Sequence, residues 1–258
     1  MVVLAPERHR RIGDALRDRS VVRTEELAVL LGVSAETVRR DLMVLERRGE
    51  LVRVHGGATS VAVGSSGEEA PFAERAGADR EAKAAIGRAA AALVRPGQTV
   101  IIDVGTTALE VARALPPDFH GVVATCSLLA AAELAGRPRV EVLVAGGRLR
   151  PGDLACSGAG TAQFFADLNA DVAFLGSGGV DASAGLTDYH LDEVATRRVM
   201  IANTVRSYVL ADSRKLGRVA AHRVCGLDAF DEVITDKTPS PALREALEES
   251  GGLIVAAG

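Results

Sequence analysis

Several protein classes are excluded by what this sequence lacks. Three cysteines, Cys126, Cys156 and Cys225, stand in 258 residues. They are odd in number and far apart, which suits neither a disulfide framework nor a zinc site and points to a reducing cytoplasm. Aromatic residues make up 3% and tryptophan is absent, so Ala, Val, Leu and Ile must fill the core. No apolar run approaches the roughly 20 residues of a membrane helix. The apolar start ends at Leu4 and turns polar by Glu7, too short for a signal-peptide core. Neither a Gly-rich nucleotide fingerprint nor a Gly-Lys-Ser/Thr loop is present, which weighs against nucleotide binding. What is there is a globular composition, 48% hydrophobic and 25% charged, which excludes a mainly disordered chain.

Charge is unevenly placed. Residues 1–58 carry 11 Arg and no Lys against 9 acidic residues, a net of +2, while the rest carries −6. A net of +2 does not by itself indicate nucleic acid, so the order of residues must make that case. Composition predicts a helical module over residues 1–58, a small and polar linker over 59–72, and a larger domain over 73–258. In the larger domain, apolar runs at 100–103, 122–125, 140–145, 172–175, 207–211, 232–235 and 253–256 read as strands buried on both faces. Most lead into helical patterns, at 107–115, 127–134, 159–168, 191–205 and 241–249, with a further helix predicted at 78–94. This alternation predicts a mainly parallel sheet with helices on its faces.

In the first module, Ile12, Ala15 and Leu16 share one helical face. Thr24 reads as the N-cap of a short second helix bearing Leu27, Leu30 and Leu31. Gly32-Val33-Ser34 supplies a tight turn, a core residue and the cap of a third helix. On that helix Val38, Leu42 and Leu45 face inward, Glu36, Arg40 and Arg47 lie opposite, and Thr37 and Arg39 flank them. Outward guanidinium groups near a helix N-terminus are the layout of a major-groove recognition helix, although exposed arginines alone only solvate a surface. Leu51–His55 followed by Gly56-Gly57 reads as a wing carrying Arg53 and His55 toward the DNA backbone. The candidate DNA contacts are therefore Thr24, Ser34, Glu36, Thr37, Arg39, Arg40, Arg47, Arg53 and His55.

The segments Leu27-Ala28-Val29-Leu30-Leu31-Gly32-Val33-Ser34, Thr37-Val38-Arg39-Arg40-Asp41-Leu42, Leu45-Glu46 and Val54-His55-Gly56-Gly57-Ala58 resemble the DeoR family of bacterial repressors. The resemblance implies a winged helix-turn-helix and double-stranded operator DNA as partner.

In the larger domain, the strand at 100–103 breaks at Gly105 into a helix opened by Thr106 and Thr107. Free N–H groups and the positive end of a helix favour an anion there, phosphate above all. The bland alternative is a capped turn with no ligand. Similar loops follow at Thr125-Cys126-Ser127, Gly146-Gly147, Gly176-Ser177-Gly178, Gly185-Leu186-Thr187 and Asp212-Ser213-Arg214-Lys215. In a parallel sheet these gather at one rim, where small, hydroxylated and glycine residues suit a phosphorylated, polyhydroxylated ligand.

The order of these loops resembles the sensor domain of the same family, similar in fold to ribose phosphate isomerase. The resemblance implies a sugar-phosphate effector held by Asp103, Gly105, Thr106, Thr107, Thr125, Ser127, Gly146, Gly147, Gly176, Gly178, Glu193, Arg197, Asp212 and Lys215, and a homo-oligomer that reads a symmetric operator. The chain departs from the family pattern at Cys126, where Asn is usual, and at Arg197, where Lys is usual. Related isomerases carry an acidic segment where this chain has Leu175-Gly176-Ser177-Gly178-Gly179, and Leu and Gly cannot take a proton. Asp188, Asp192 and Glu193 remain nearby, as ligand contacts or as helix caps. The expectation is a regulator that binds without turnover, with no cofactor, metal or membrane. The alternatives are an isomerase-like enzyme carrying a winged helix, and a regulator that answers to protein partners.

Overall fold

Strict alternation builds the larger domain. In the run Val100-Ile101-Ile102, Ile101 packs into one apolar cluster and its two neighbours into another, as a period of two requires of a strand covered on both faces. A computed structural model describes residues 4–18, 21–47, 51–54, 56–60 and 69–256. The chain divides into two compact units, residues 1–68 and 69–258.

The first unit contains α1 (Ala5–Asp18), β1 (Val21–Arg23), α2 (Thr24–Leu31), α3 (Ala35–Arg47), β2 (Leu51–Val54) and β3 (Gly57–Ser60). Its core is Ile12 and Leu16 of α1, Leu27 and Leu31 of α2, Val38, Leu42 and Leu45 of α3, and Leu51 and Ala58 of the wing. The stripe spacing of three and four residues places these side chains on one face of each helix. Between α2 and α3, Gly32 adopts φ +64 and caps α2, its N–H reaching Val29 O. A left-handed cap is the conformation that glycine takes without strain. The wing is antiparallel, β2 against β3, and β1 adds a third strand on the outer side of β3. Because β3 runs to Ser60, residues 59 and 60 belong to the wing, not to the linker expected from composition.

Two expectations within this unit are corrected. The N-cap of α2 is Arg23, and Thr24 is the first helical residue. Thr24 is also 4% exposed, and its N–H donates to Gly56 O at 2.9 Å. It ties helix to wing and presents nothing to DNA.

The second unit contains α4 (Phe72–Gly77), α5 (Arg80–Ala91), β4 (Thr99–Ile102), α6 (Thr106–Ala114), β5 (Gly121–Thr125), α7 (Leu128–Leu134), β6 (Val140–Val144), β7 (Arg148–Arg150), β8 (Ala155–Ser157), α8 (Ala159–Ala166) and β9 (Ala170–Leu175). It continues through β10 (Gly179–Asp181), β11 (Gly185–Asp188), α9 (Leu191–Ala202), β12 (Thr204–Leu210), β13 (His222–Cys225), β14 (Glu232–Thr235), α10 (Pro241–Ser250) and β15 (Leu253–Val255). Seven strands form a sheet in the order β15-β14-β12-β9-β4-β5-β6, and every neighbouring pair is parallel. One face packs on α8, α9 and α10 through Phe165, Met200 and Leu247. The other packs on α5, α6 and α7 through Ile86, Val111 and Leu134. The result is a three-layer α/β/α domain.

The edge strands β6 and β15 are only partly buried, against the expectation of burial on both faces, because no strand follows them. The hairpin β7–β8 and the small antiparallel sheet β10-β11-β13 were not expected from the sequence. They lie in connections after β6, β9 and β12, and each of their strands has three or four residues, too short for a periodic signal. No described helix is long and apolar enough to cross a membrane.

Candidate functional site

Sheet order locates a site before any side chain is considered. From β4 the chain adds β5 and β6 on one side, while β9, β12, β14 and β15 lie on the other. The strand order therefore reverses between β4 and β9, and ligands of open parallel sheets bind at such a switch point, beyond the carboxyl ends of the strands. At this place Val104, Gly105, Thr106 and Thr107 after β4 face Gly176 and Ser177 after β9 across a narrow crevice. Asp188, Glu193, Arg197 and Lys215 line it from β11, α9 and the turn after β12, joined by Glu69, Arg75, Arg150 and Asp153.

The α6 N-terminus opens onto this crevice with two hydroxyls. Thr106 and Thr107 are both buried, and Thr107 Oγ1 has no hydrogen-bond partner among the described residues. A buried hydroxyl is ordinarily paired, since an unmet one costs about 1–3 kcal/mol. Opposite, Gly176 approaches so closely that an added Cβ would lie 2.7 Å from Val104 O and 3.0 Å from Arg197 Nη2.

Beneath the crevice runs a buried ion network. Arg197 is 2% exposed and is held by three carboxylates: Nε on Asp103 Oδ2 at 2.5 Å, Nη1 near Asp188 Oδ2 at 2.5 Å and Nη2 on Glu193 Oε2 at 3.1 Å. Asp103 also accepts the Gly176 N–H at 2.9 Å, which couples the ends of β4 and β9. Glu193 reaches Arg150 Nη1 at 2.5 Å. Burial pushes Glu193 up to about 7, with Asp188 and Asp103 adding to the push against Arg197 and Arg150. Burial also acts upward on Asp188, but Arg197 and the Tyr189 N–H outweigh it and hold that carboxyl below its ordinary value. Burial lowers Lys215, whose Nζ donates to Ser177 O. Cys126 Sγ lies 4.0 Å from Asp103 Oδ1, and burial followed by that carboxylate raises its thiol well above the ordinary value.

Of the effector candidates, the crevice gathers Gly105, Thr106, Thr107, Gly176, Glu193, Arg197 and Lys215, with Asp103 directly beneath. Thr125, Ser127, Gly146, Gly147, Gly178 and Asp212 do not line it. The physical reasons are local. Thr125 Oγ1 accepts the Ser127 N–H at 3.0 Å, and Ser127 Oγ caps α7 through Ala130 N–H at 3.2 Å. Thr161 Oγ1 donates to Gly146 O at 2.7 Å, while a Cβ on Gly147 would strike that hydroxyl at 2.4 Å. Gly178 packs on the backbone of Asp188 and Thr187. Asp212, 1% exposed, accepts the Arg214 N–H and Nε, each at 3.1 Å. Asp188 and Glu193 belong to the crevice and not to a helix cap, since the α9 cap position is His190. Glu69, Arg75, Arg150 and Asp153 were not legible in the sequence, because they stand in loops or in short elements with no motif of their own. No group of three or more His, Cys, Asp or Glu among the described residues could hold a metal ion.

The first unit presents α3. Glu36, Arg39 and Arg40 are well exposed, with Glu36 bridging Arg39 at 3.4 Å and Arg40 at 3.5 Å. Ser34 Oγ accepts the Thr37 N–H at 3.2 Å and contacts its hydroxyl at 2.9 Å, capping α3. On the inner side, Asp41 takes Arg8 Nε at 2.6 Å and His9 Nε2 at 3.1 Å, a brace between α3 and α1 that the sequence reading missed. Burial raises Asp41, and its bonds to Arg8 and His9 outweigh that, leaving it lowered. Arg53 on β2 pairs loosely with Glu46 at 3.7 Å and remains partly exposed. Arg47 ends α3. Its side chain and all of His55 lie outside the described residues.

Comparison with known proteins matches both units. Residues 8–63 match the DeoR-like helix-turn-helix domain and residues 78–237 the DeoR C terminal sensor domain. The chain is 36% identical over 253 residues to the HTH-type transcriptional regulator GlpR of Haloferax volcanii, covering 98% of each chain. It is 32% identical over 243 residues to the glycerol-3-phosphate regulon repressor of Escherichia coli, covering 94% of this chain and 95% of that one. A ribose 5-phosphate isomerase A from Methanocaldococcus jannaschii aligns at 16% identity and a TM-score of 0.41, covering 54% and 55%. With both units matched in order and relatives similar over nearly their whole length, the chain is a DNA-binding transcriptional regulator, not an enzyme, and belongs to the DeoR family.

Proposed function

We propose that this regulator represses carbohydrate-metabolism genes from the cytoplasm, and that a phosphorylated sugar bound at the switch-point crevice releases it from its operator. The observation that carries the effector reading is the buried, unpartnered Thr107 hydroxyl beside the α6 N-terminus, at the one place where the parallel sheet reverses its order. A helix N-terminus carries about half a positive charge and unmet donors, so a dianionic phosphate gains most there. Asp188, Glu193 and Arg150 supply acceptors and a donor for sugar hydroxyls. Thr125, Ser127, Gly146, Gly147, Gly178 and Asp212 are assigned to the frame of the rim and not to ligand contact. Glu36, Thr37, Arg39 and Arg40 of α3 enter the major groove, with Arg47, Arg53 and His55 on the phosphate backbone, in a homo-oligomer whose paired α3 helices read symmetric half-sites.

The test is a thermal-shift panel of sugar phosphates against wild type and Thr106→Val. A ligand of the folded state raises its stability by mass action. At least one phosphorylated sugar should raise the midpoint in wild type and not in the variant, while both bind operator equally. If every sugar phosphate acts no better than inorganic sulfate, the effector reading is wrong.

A further inference from the structure

The crevice is narrow and crowded by its own side chains. Its free volume is about 20 Å³, room for one water, and a phosphate group with three terminal oxygens needs more. Some of the lining must move for a ligand to enter. Most of it is fixed: Arg197 is buried among three carboxylates, Lys215 is held by the Ser177 carbonyl, and Gly105 to Thr107 join β4 to α6.

The exception is the segment that opens the second unit. Glu69 Oε1 pairs with Arg75 Nη1 at 3.0 Å and its Oε2 lies 3.5 Å from His190 Nε2. Arg75 Nε donates to Ala70 O at 2.8 Å, and Nη2 lies 3.5 Å from Asp153 Oδ2. Asp153 in turn holds Arg150, which holds Glu193, which holds Arg197. The crevice wall is thus a chain of alternating charges that ends in the carboxylate of Glu69. The far end of the segment is anchored, because Lys83 Nζ, buried under it, donates to the carbonyls of Arg75 and Ala78. Any displacement is therefore confined to residues 69–74, the stretch that residues 61–68 connect to the first unit.

We propose that Glu69 is a resident competitor for the effector: its carboxylate holds Arg75 in the ligand-free protein, and the phosphate of the ligand takes Arg75 and expels it. Arg75 then becomes a ligand-binding residue of the site, and the freed residues are those to which the DNA-binding unit is joined. The inference rests on the effector reading above and gives it a regulatory step. It also fixes the ligand class. A phosphate monoester carries about 1.5 to 2 negative charges near neutrality and outbids a single carboxylate, whereas an uncharged sugar has nothing to exchange.

The experiment uses the full-length chain, wild type and Glu69→Gln, with inorganic phosphate as probe, followed by calorimetry and amide hydrogen exchange. In wild type, phosphate should protect the peptide covering 103–108 and increase exchange in the peptide covering 69–78. Glu69→Gln should raise 69–78 exchange without any ligand and tighten phosphate binding about fivefold, the worth of one partly exposed ion pair. Unchanged phosphate affinity in Glu69→Gln, with 103–108 still protected, would overturn the competitor and leave the effector site standing. Absence of protection at 103–108 in both proteins would remove the site and the competitor together.

Discussion

Arg197 serves three carboxylates at once, and removing it strands all of them. Asp103, Asp188 and Glu193 would be left without the buried cation they share. Breaking a buried pair from one side costs about 3–5 kcal/mol. Arg197→Ala should accordingly lower the unfolding free energy of the second unit by that order, read from urea titration, with the wing and helices of the first unit unaffected. Glu193 adds a pH signature. Its folded-state value of about 7 lies above the ordinary 4.5, so between those limits the folded chain keeps a proton that the unfolded chain has lost. Stability contributed by this group is present below the unfolded value and falls as pH rises toward 7, at no more than about 1.4 kcal/mol per pH unit. Asp188, lowered, acts in the opposite sense at more acidic pH and does not cancel the trend. Thermal midpoints from pH 5 to 7 should therefore decline less in Glu193→Gln than in wild type; parallel curves would show that Glu193 titrates normally.

At the scale of elements, α3 separates its duties by face. Val38, Leu42 and Leu45 are buried, Asp41 braces α1, and Arg39 and Arg40 stand outward, each pairing with Glu36. A side chain that carries no packing can be removed without unfolding the helix. Arg40→Ala should leave the circular dichroism spectrum and midpoint unchanged while weakening operator binding by about 1–3 kcal/mol, the worth of a bidentate base contact. A mobility-shift titration at fixed salt checks it, and unchanged affinity would move the recognition face elsewhere. The elements themselves were largely legible. Short apolar runs such as those at 100–103 and 172–175, alternating with helical patterns, read as strands buried on both faces, and Gly32 with Ser34 marked the turn between α2 and α3. The crevice wall was not legible, for a physical reason. Arg75 and Asp153 lie 78 residues apart and meet only after folding, and neither sits in a pattern that distinguishes it from a solvated surface charge. Gly147 is explained locally instead: a side chain there would strike Thr161 and Ser157.

At the scale of the whole molecule, the two units have separate cores, so ligand and operator can influence one another only through a shared equilibrium. Whatever factor the effector imposes on operator affinity, the operator must impose on effector affinity, because both describe one coupling free energy. For a repressor released by its ligand the factor is commonly about 5 to 150. Effector titrations should therefore give a dissociation constant weaker by the same factor when saturating operator duplex is present, with unrelated duplex as control. The variants divide the possibilities. Thr106→Val abolishes effector binding and leaves no factor to measure, while Arg40→Ala retains effector affinity and shows the factor only at correspondingly higher duplex concentration. An effector whose affinity is indifferent to saturating operator is not coupled to it at equilibrium, and the crevice would no longer be the seat of control.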